Sequence, residues 1–429
     1  MVQTETQESI SINKAFMNSI FEYPNGLRLK TCIQCGTCAG ACPFGMWMEY
    51  TPRKIIHALK MNEFEDVLKS ERTWMCVSCF ACANACPQEI PLADVLMTRL
   101  KEELLLAGNV PAELQEALEN SQRYGNPMGN SPRKRSEWAR GITPEIPILG
   151  REHRSVDVLW FVGDYASYHP AAIGATVAFA KILQALGVNF GILGSQENSD
   201  GDSQRLAGER GLFELLAEKN GQLFDKYEFK EIVTTDPHAF NAFKNEYPKL
   251  GINYPVKHYT QFLAGHLADL TLMLKKEIDA VVAYHDPCYL GRVNEIYEQP
   301  RMLISAIPGV KLIEMSHSRS NSLCCGGGGG GMWLDGFTWD IAETRTSEWR
   351  VQEMVAAKPV EDFISVLEES GKASKKNGKS AVQTPEKRIL AVACPYEKPR
   401  FEDAFKVIAA AEGMVVMDIA EMLATSMGI

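Results

Sequence analysis

No stretch of this 429-residue chain approaches the roughly 20 consecutive apolar residues that cross a bilayer, so any membrane or quinone connection must come through another subunit. Positive charge is also scarce. With 44 Lys and Arg against 54 Asp and Glu, the net charge of -10 argues against a nucleic-acid partner. The small basic spot Ser131-Pro132-Arg133-Lys134-Arg135 reads as a solvated linker. There is no secretory signal at Met1-Val2-Gln3-Thr4, and none of the 12 cysteines is left over from the motifs below. These features point to a reducing compartment, the cytoplasm, where thiols ligate metal rather than pair. The length, with 45% hydrophobic and 23% charged residues, can bury more than one core, and two to three domains are expected.

What the chain has is cysteine in rhythm. Cys32-x-x-Cys35-x-x-Cys38-x-x-x-Cys42-Pro43 and Cys76-x-x-Cys79-x-x-Cys82-x-x-x-Cys86-Pro87 repeat one pattern, the ligand spacing of two 4Fe–4S clusters. Three thiolates two residues apart wrap one face of a cube, and the fourth, before proline, is aimed away. In a two-cluster ferredoxin that fourth ligand crosses over. Cys32, Cys35, Cys38 and Cys86 are thus expected around one cluster, and Cys76, Cys79, Cys82 and Cys42 around the other.

The remaining cysteines stand apart. Cys288 follows Tyr284-His285-Asp286-Pro287, the pair Cys324-Cys325 opens a run of six glycines from Gly326 to Gly331, and Cys394 precedes Pro395. Adjacent thiolates facing one cluster need unusual backbone angles. Gly326, Gly327 and Gly328 can supply positive φ and bring N–H groups close to sulfide or a substrate anion, a cofactor-binding role.

Periodicity outlines the rest. Pro52–Lys60 and Glu63–Glu71 read as helices between the cysteine runs, and Pro91–Leu106 as a longer one whose stripe of Leu92, Val95, Leu96, Leu100 and Leu104 is core. Residues 108–154 lose periodicity and gain Pro, Gly, Asn and Arg, as a surface connector does. After it comes a degenerate repeat: Val156–Asp164 resembles Ile278–Asp286, and Ile232–Pro237 resembles Leu390–Pro395. Helices such as Ala171–Leu186 between the strands favour parallel α/β units, with ligands gripped at the carboxyl ends of the strands. Only the second half has cysteines. In the first, the carboxylates Asp164 and Asp236 are expected to cap helices rather than, with His238, bind a hard metal or relay protons. Ser370–Lys387 reads as a flexible insertion. The expected fold class is α+β, with a mainly helical two-cluster ferredoxin-like domain (1–107), the connector (108–154), a cysteine-free α/β domain (155–272) and a cluster-binding α/β domain (273–429).

The motifs together resemble the heterodisulfide reductase family. Cys32-Ile33-Gln34-Cys35-Gly36-Thr37-Cys38, Pro52-Arg53-Lys54 and Trp74-Met75-Cys76 look like its small ferredoxin-type component, and Val156 onward like its larger component, built from two cysteine-rich CCG domains. One chain carrying both resembles the family's fused, D-type form. The same parts recur in iron–sulfur subunits of lactate, glycolate and glycerol-3-phosphate oxidation and of sulfite-reduction membrane complexes. The resemblance implies a third iron–sulfur cluster on Cys288, Cys324, Cys325 and Cys394. Glu397 stands in Cys394-Pro395-Tyr396-Glu397 where the family has its last cysteine, and a carboxylate there is a harder, less covalent ligand. The site is therefore open between a modified noncubane 4Fe–4S cluster, an ordinary cubane and an iron open to substrate.

The function expected from this resemblance is that of a cytoplasmic oxidoreductase subunit, peripheral to the inner face of the membrane through a partner. Two cubanes would pass electrons to the third centre for disulfide or thiol chemistry, with His285 as proton donor and Arg292 as a nearby polar group. The competing function is electron transfer between a flavoprotein dehydrogenase and a membrane quinone or cytochrome b-like subunit.

Overall fold

The computed structural model describes residues 2–150, 155–357 and 387–429, with side chains from residue 12. The insertion expected at Ser370–Lys387 lies, Lys387 apart, outside the described residues. Helices and two loops of cysteines make the N-terminal part. Pro52 at the first turn starts the helix Pro52–Met61, which buries Ile55, Ile56 and Leu59 on one side and stops where Asn62 turns left-handed. A shorter helix, Phe64–Leu68, follows, and Phe64 stacks on Phe16 of the helix Val2–Phe21 at 4.1 Å. The third expected helix runs as a wide π turn, Leu92–Met97, and then an α-helix, Thr98–Leu106. All five residues of its apolar stripe are buried.

The rest of the chain is a mixed α/β structure built on two parallel four-stranded sheets. Strands β1 (Val158–Phe161), β2 (Phe190–Ile192), β3 (Glu231–Thr234) and β4 (Val256–His258) lie in the order β2-β1-β3-β4. Strands β5 (Ala280–Tyr284), β6 (Val310–Ile313), β7 (Arg388–Val392) and β8 (Val415–Asp418) repeat it as β6-β5-β7-β8. The central strands β1, β5 and β7 are near-continuous apolar runs, as covering both faces of a parallel sheet requires. The two sheets are not separate cores. Trp160, Phe179 and Phe190 of the first half share one hydrophobic cluster with Val282, Leu303, Ile419 and Leu423 of the second. The helices Pro170–Ala185 and Ile419–Met427 pack together across the join.

Residues 108–150 correct an expectation. They are no surface connector: the helix Ala112–Tyr124 buries Leu114, Ala117 and Leu118, and Trp138, Ile146 and Leu149 enter the core. Nor is Arg135 part of a solvated basic spot. It is 2% exposed, with Nη2 on Asp164 Oδ1 at 2.6 Å and Nη1 on Glu197 Oε1 at 2.9 Å. The segment has the composition of a loop, but buried carboxylates from elsewhere in the chain draw it inward.

Candidate iron-sulfur centres

Each cysteine loop turns on a left-handed residue just after its second cysteine. Gly36 and Phe80, at φ 85° and 63°, turn the chain into the short helices Thr37–Gly40 and Ala81–Asn84, and each turn swings successive thiols to one side. Cys32, Cys35, Cys38 and Cys86 line one cavity; Cys42, Cys76, Cys79 and Cys82 line a second. These are the crossed sets. Electrostatics sorts them the same way: after burial, Cys38 is raised by Cys86, Cys32 and Cys35, and Cys42 by Cys79 and Cys76. Such raised values belong to the thiol form, and an iron ion replacing the proton reverses the balance. Gln34 Nε2 donates to Cys32 Sγ at 3.3 Å, a contact suited to a charged sulfur. Cys35 is exposed and hydrogen bonding to Thr37 lowers its pKa, whereas Cys79 and Cys82 are buried.

Cys288, Cys324, Cys325 and Cys394 come from loops beyond the carboxyl ends of β5, β6 and β7, Glu397 opens the helix Glu397–Val407, and all five are buried. The ligand atoms of His285, Cys325 and Glu397 lie within 4.8 Å of one another, the one such group of three among the described residues. His285 Nε2 is 3.3 Å from Glu397 Oε1, and Glu397 Oε2 accepts from the Ala393 N–H at 3.3 Å. Burial drives His285 well below its ordinary pKa and Glu397 well above. Cys288 lies near Cys324, which together with burial raises it. Cys394 sits towards the first half, raised by burial, then Glu397 and Asp236.

Cys324 lines the same cleft as Cys79, and its nearness, with burial, raises that thiol well above its ordinary value. The thiols singled out for a third centre therefore adjoin the second cysteine loop, although nearly 250 residues separate them in sequence. Arg292 lies at this junction. Its Nε donates to the Cys79 carbonyl at 2.9 Å and Nη1 to the Ser320 carbonyl at 3.3 Å, while Nη2 is buried with no partner. Burial pulls its pKa down, but Cys79, Cys288 and Cys324 outweigh that and leave it raised. A donor left over among thiols fits a sulfur-rich group, since an orphaned buried N–H is otherwise costly.

The glycine run is packed, as expected of a segment following paired thiols. Gly326 has φ 86° and its N–H donates to Cys324 Sγ at 3.2 Å. Gly328 serves the domain join: a Cβ there would meet the Val77 carbonyl at 3.0 Å and His238 Cε1 at 3.1 Å. Gly327 likewise faces Met332 and Tyr396. The side-chain positions of Gly327 and Gly328 are thus filled by protein.

Two further residues of the site carry no motif in the sequence. Lys101 is fully buried, and Nζ donates to the carbonyls of Cys76 at 2.6 Å, Gly329 at 3.0 Å and Leu206 at 3.2 Å, tying together the cysteine loop, the glycine run and the first half. Its one signal is its place three residues before Leu104, on the apolar side of that helix. Arg350, also fully buried, donates from Nε to His285 Nδ1 at 3.0 Å. Nothing in its helical surroundings marks it. In the cysteine-free half, Asp236 takes the position aligned with Cys394 and caps a helix, accepting from His238 N at 2.8 Å. Asp164, aligned with Asp286, holds Arg135 as Asp286 holds Arg301 at 2.7 and 2.9 Å; it is an ion-pair partner, not a helix cap.

Cavities and thiols together define an iron–sulfur protein that joins a ferredoxin-type cluster pair to a cysteine-rich α/β structure. Family comparison agrees: residues 31–91 match a 4Fe-4S dicluster domain and residues 282–359 a Cysteine-rich domain. The dicluster domain implies two 4Fe–4S clusters, and the cysteine-rich domain suggests a further one. The chain is homologous to the D-type chain of heterodisulfide reductase and to iron–sulfur oxidoreductases. It is 34% identical over 75% of its length to a probable iron-sulfur-binding oxidoreductase, FadF, of Bacillus subtilis, covering 42% of that protein. It is 30% identical over 86% of its length to EtfAB:quinone oxidoreductase of Syntrophomonas wolfei, covering 48%. With the D-type chain of the dihydromethanophenazine:CoB–CoM heterodisulfide reductase of Methanosarcina barkeri it shares 30% over 47% of its length, covering 49%. The chain spans about half the length of these relatives. Among the described residues no helix is long and apolar enough to cross a membrane.

Proposed function

We propose that the chain is the electron-relay subunit of an oxidoreductase, with one cubane on Cys32, Cys35, Cys38 and Cys86, a second on Cys76, Cys79, Cys82 and Cys42, and a third iron–sulfur centre on Cys288, Cys324, Cys325, Cys394 and Glu397. The observation that carries this reading is the placement of Cys79 and Cys324 in one cleft beside Arg292, which supports a path from the second cubane to the third centre. Such clusters supply one-electron steps; the protein supplies the spacing, the buried cation and the exclusion of water. Exposed Cys35 and Ile33, the latter 61% exposed, support the first cubane as the exchange point with a partner.

Of the two terminal chemistries, the link from a flavoprotein to a quinone is favoured, because the match to EtfAB:quinone oxidoreductase runs over 86% of the chain and that to the heterodisulfide reductase chain over 47%. The partners on this reading are a flavoprotein and a membrane cytochrome b-like subunit, and the place of work is the cytoplasmic face of the membrane. Disulfide or thiol chemistry is supported by a different feature, a cleft at the junction that reaches Cys42, Cys79 and Cys324 past Arg292, His317 and Trp349. Anaerobic stopped-flow separates the two. Chain purified with its partners and reduced by a flavoprotein hydroquinone should be reoxidised by a quinone analogue and not by an asymmetric disulfide. Stoichiometric release of two thiols per disulfide without quinone would overturn the relay reading.

A further inference from the structure

His285 has two faces, and the groups on them differ in kind. Towards Nδ1 lies Arg350 Nε at 3.0 Å. An arginine has five N–H donors, no acceptor and no accessible neutral form, so Nδ1 must be the acceptor in this contact. Arg350 cannot turn away. Its Nη1 is held by Glu353 Oε2 at 2.6 Å and the His317 carbonyl at 2.5 Å, and its Nη2 by Ser322 Oγ at 3.3 Å. The imidazole is fixed as well, its ring edge-on to Phe401 at 4.8 Å. A neutral imidazole whose Nδ1 accepts carries its proton on Nε2, and Nε2 faces Glu397 Oε1 at 3.3 Å.

This polarity is the reverse of a metal-bound histidine, which donates its second N–H to a carbonyl or carboxylate. Cys325 and Glu397 are close enough to share one iron, and His285 is as close. Its lone pair nevertheless points the other way. We propose that His285 is not a ligand of the third centre but a positioning residue, locked by Arg350 as an Nε2–H donor that holds the Glu397 carboxylate towards the iron shared with Cys325. With the Ala393 N–H on Oε2 and His285 Nε2 3.3 Å from Oε1, each carboxylate oxygen has one N–H group beside it and keeps a lone pair for metal. This rests on the reading of Glu397 as a ligand of a third centre. A hydrogen bond to a carboxylate ligand withdraws charge from it, so losing the bond makes the oxygen a stronger donor and stabilises the oxidised metal.

The test is made on the full chain purified anaerobically with its clusters. Iron analysis of the wild type first shows whether a third centre exists, and Glu397→Ala shows whether the carboxylate affects its spectrum; these two results bear on the underlying reading. The proposal itself is read in three ways. Histidine-selective 15N NMR of the oxidised protein should show His285 as the Nε2–H tautomer, with or without a third centre. Pulsed EPR of the third centre in 15N-histidine protein should show no directly coordinated nitrogen. His285→Phe and Arg350→Met should each shift its midpoint potential to more negative values, His285→Gln should restore it, and His285→Phe should add nothing in a Glu397→Ala background. An Nδ1–H tautomer, a directly coordinated nitrogen, or an undiminished His285→Phe shift without Glu397 would each overturn the proposal.

Discussion

The two sheets of this molecule have the same strand order and opposite contents. In the second, the loops after β5 and β6 bring Cys288, Cys324 and Cys325 together, with Cys394 beyond β7; in the first, the equivalent loops set Asp164 and Glu197 on Arg135 and Asp236 on the His238 N–H. Both solve one problem, which is to fill the polar crevice that a parallel sheet leaves beyond its strand ends. One is filled by groups that bind a soft metal, the other by a buried ion pair and a helix cap. The frame of the fold therefore does not depend on the cluster. What the cysteine-free half keeps is its share of the common hydrophobic core and its grip on Lys101 through the Leu206 carbonyl.

The largest effect expected is at Cys324. Cys324→Ser should remove the third centre and, if that centre holds four irons, lower the iron content from about twelve to about eight atoms per chain. Asp236→Cys, the reciprocal change in the other half, should gain no iron. Iron analysis with EPR checks both, and a third centre gained at Asp236 would erase the contrast between the halves.

Breaking the filling of the first half should unfold rather than demetallate. Arg135→Met leaves Asp164 and Glu197 buried and unpaired, at about 3–5 kcal/mol. Denaturant titration should show the loss while the cluster spectra of the surviving folded protein stay unchanged.

At the junction of the halves, Lys101→Met strands the carbonyls of Cys76, Leu206 and Gly329, at roughly 2–3 kcal/mol. Electron transfer from the ferredoxin pair to the third centre should slow in flash-reduction experiments, with both spectra retained. An unchanged rate would mean that the packing around Cys79 and Cys324 alone holds the parts in register.

The smallest effects separate the halves by pH. β4 and β8 end in the same device, a capping box, built on His258 with Gln261 in one and on Asp418 with Glu421 in the other. Tyr259, next to the first cap, donates to Asp418 of the second at 2.8 Å. Burial lowers His258 to about 3 and raises Asp418 to about 7. Unfolded His titrates near 6.5, so the stability at His258 is present above that pH and lost as pH falls towards about 3. Unfolded Asp titrates near 3.9, so the stability at Asp418 is present below that pH and lost as pH rises through about 7. Alanine at either cap should cost about 1 kcal/mol. Asparagine keeps the cap, and His258→Asn should flatten the acid limb of a melting-temperature profile while Asp418→Asn flattens the limb approaching neutrality. Identical profiles for the two variants would break the distinction.

Much of this is legible in the sequence. Thiol spacing predicts the crossed grouping of Cys38 with Cys86 and Cys42 with Cys79, because local chain geometry decides which thiols can face a common centre. The repeat of Val156–Asp164 in Ile278–Asp286 predicts matching strands, because a buried parallel strand demands a continuous apolar run. Arg135 and the helix Ala112–Tyr124 mislead, because a buried arginine looks like a surface one until its carboxylates are placed beside it. The sequence marks His285, but as a proton donor, since no local signal reveals that an arginine 65 residues away faces its Nδ1.

By itself the sequence determined what is periodic or local: the two cysteine loops, the apolar strands, the departure at Glu397 and the absence of thiols from one half. Only the tertiary structure decided what depends on groups meeting from distant segments. That includes the nearness of Cys79 to Cys324, the three carbonyls on Lys101, the orphaned Nη2 of Arg292 and the tautomer imposed on His285. The physical reason is that spacing along a chain constrains only near neighbours. The worth of a buried charge or a hydrogen-bond donor is set by which partner the fold places against it.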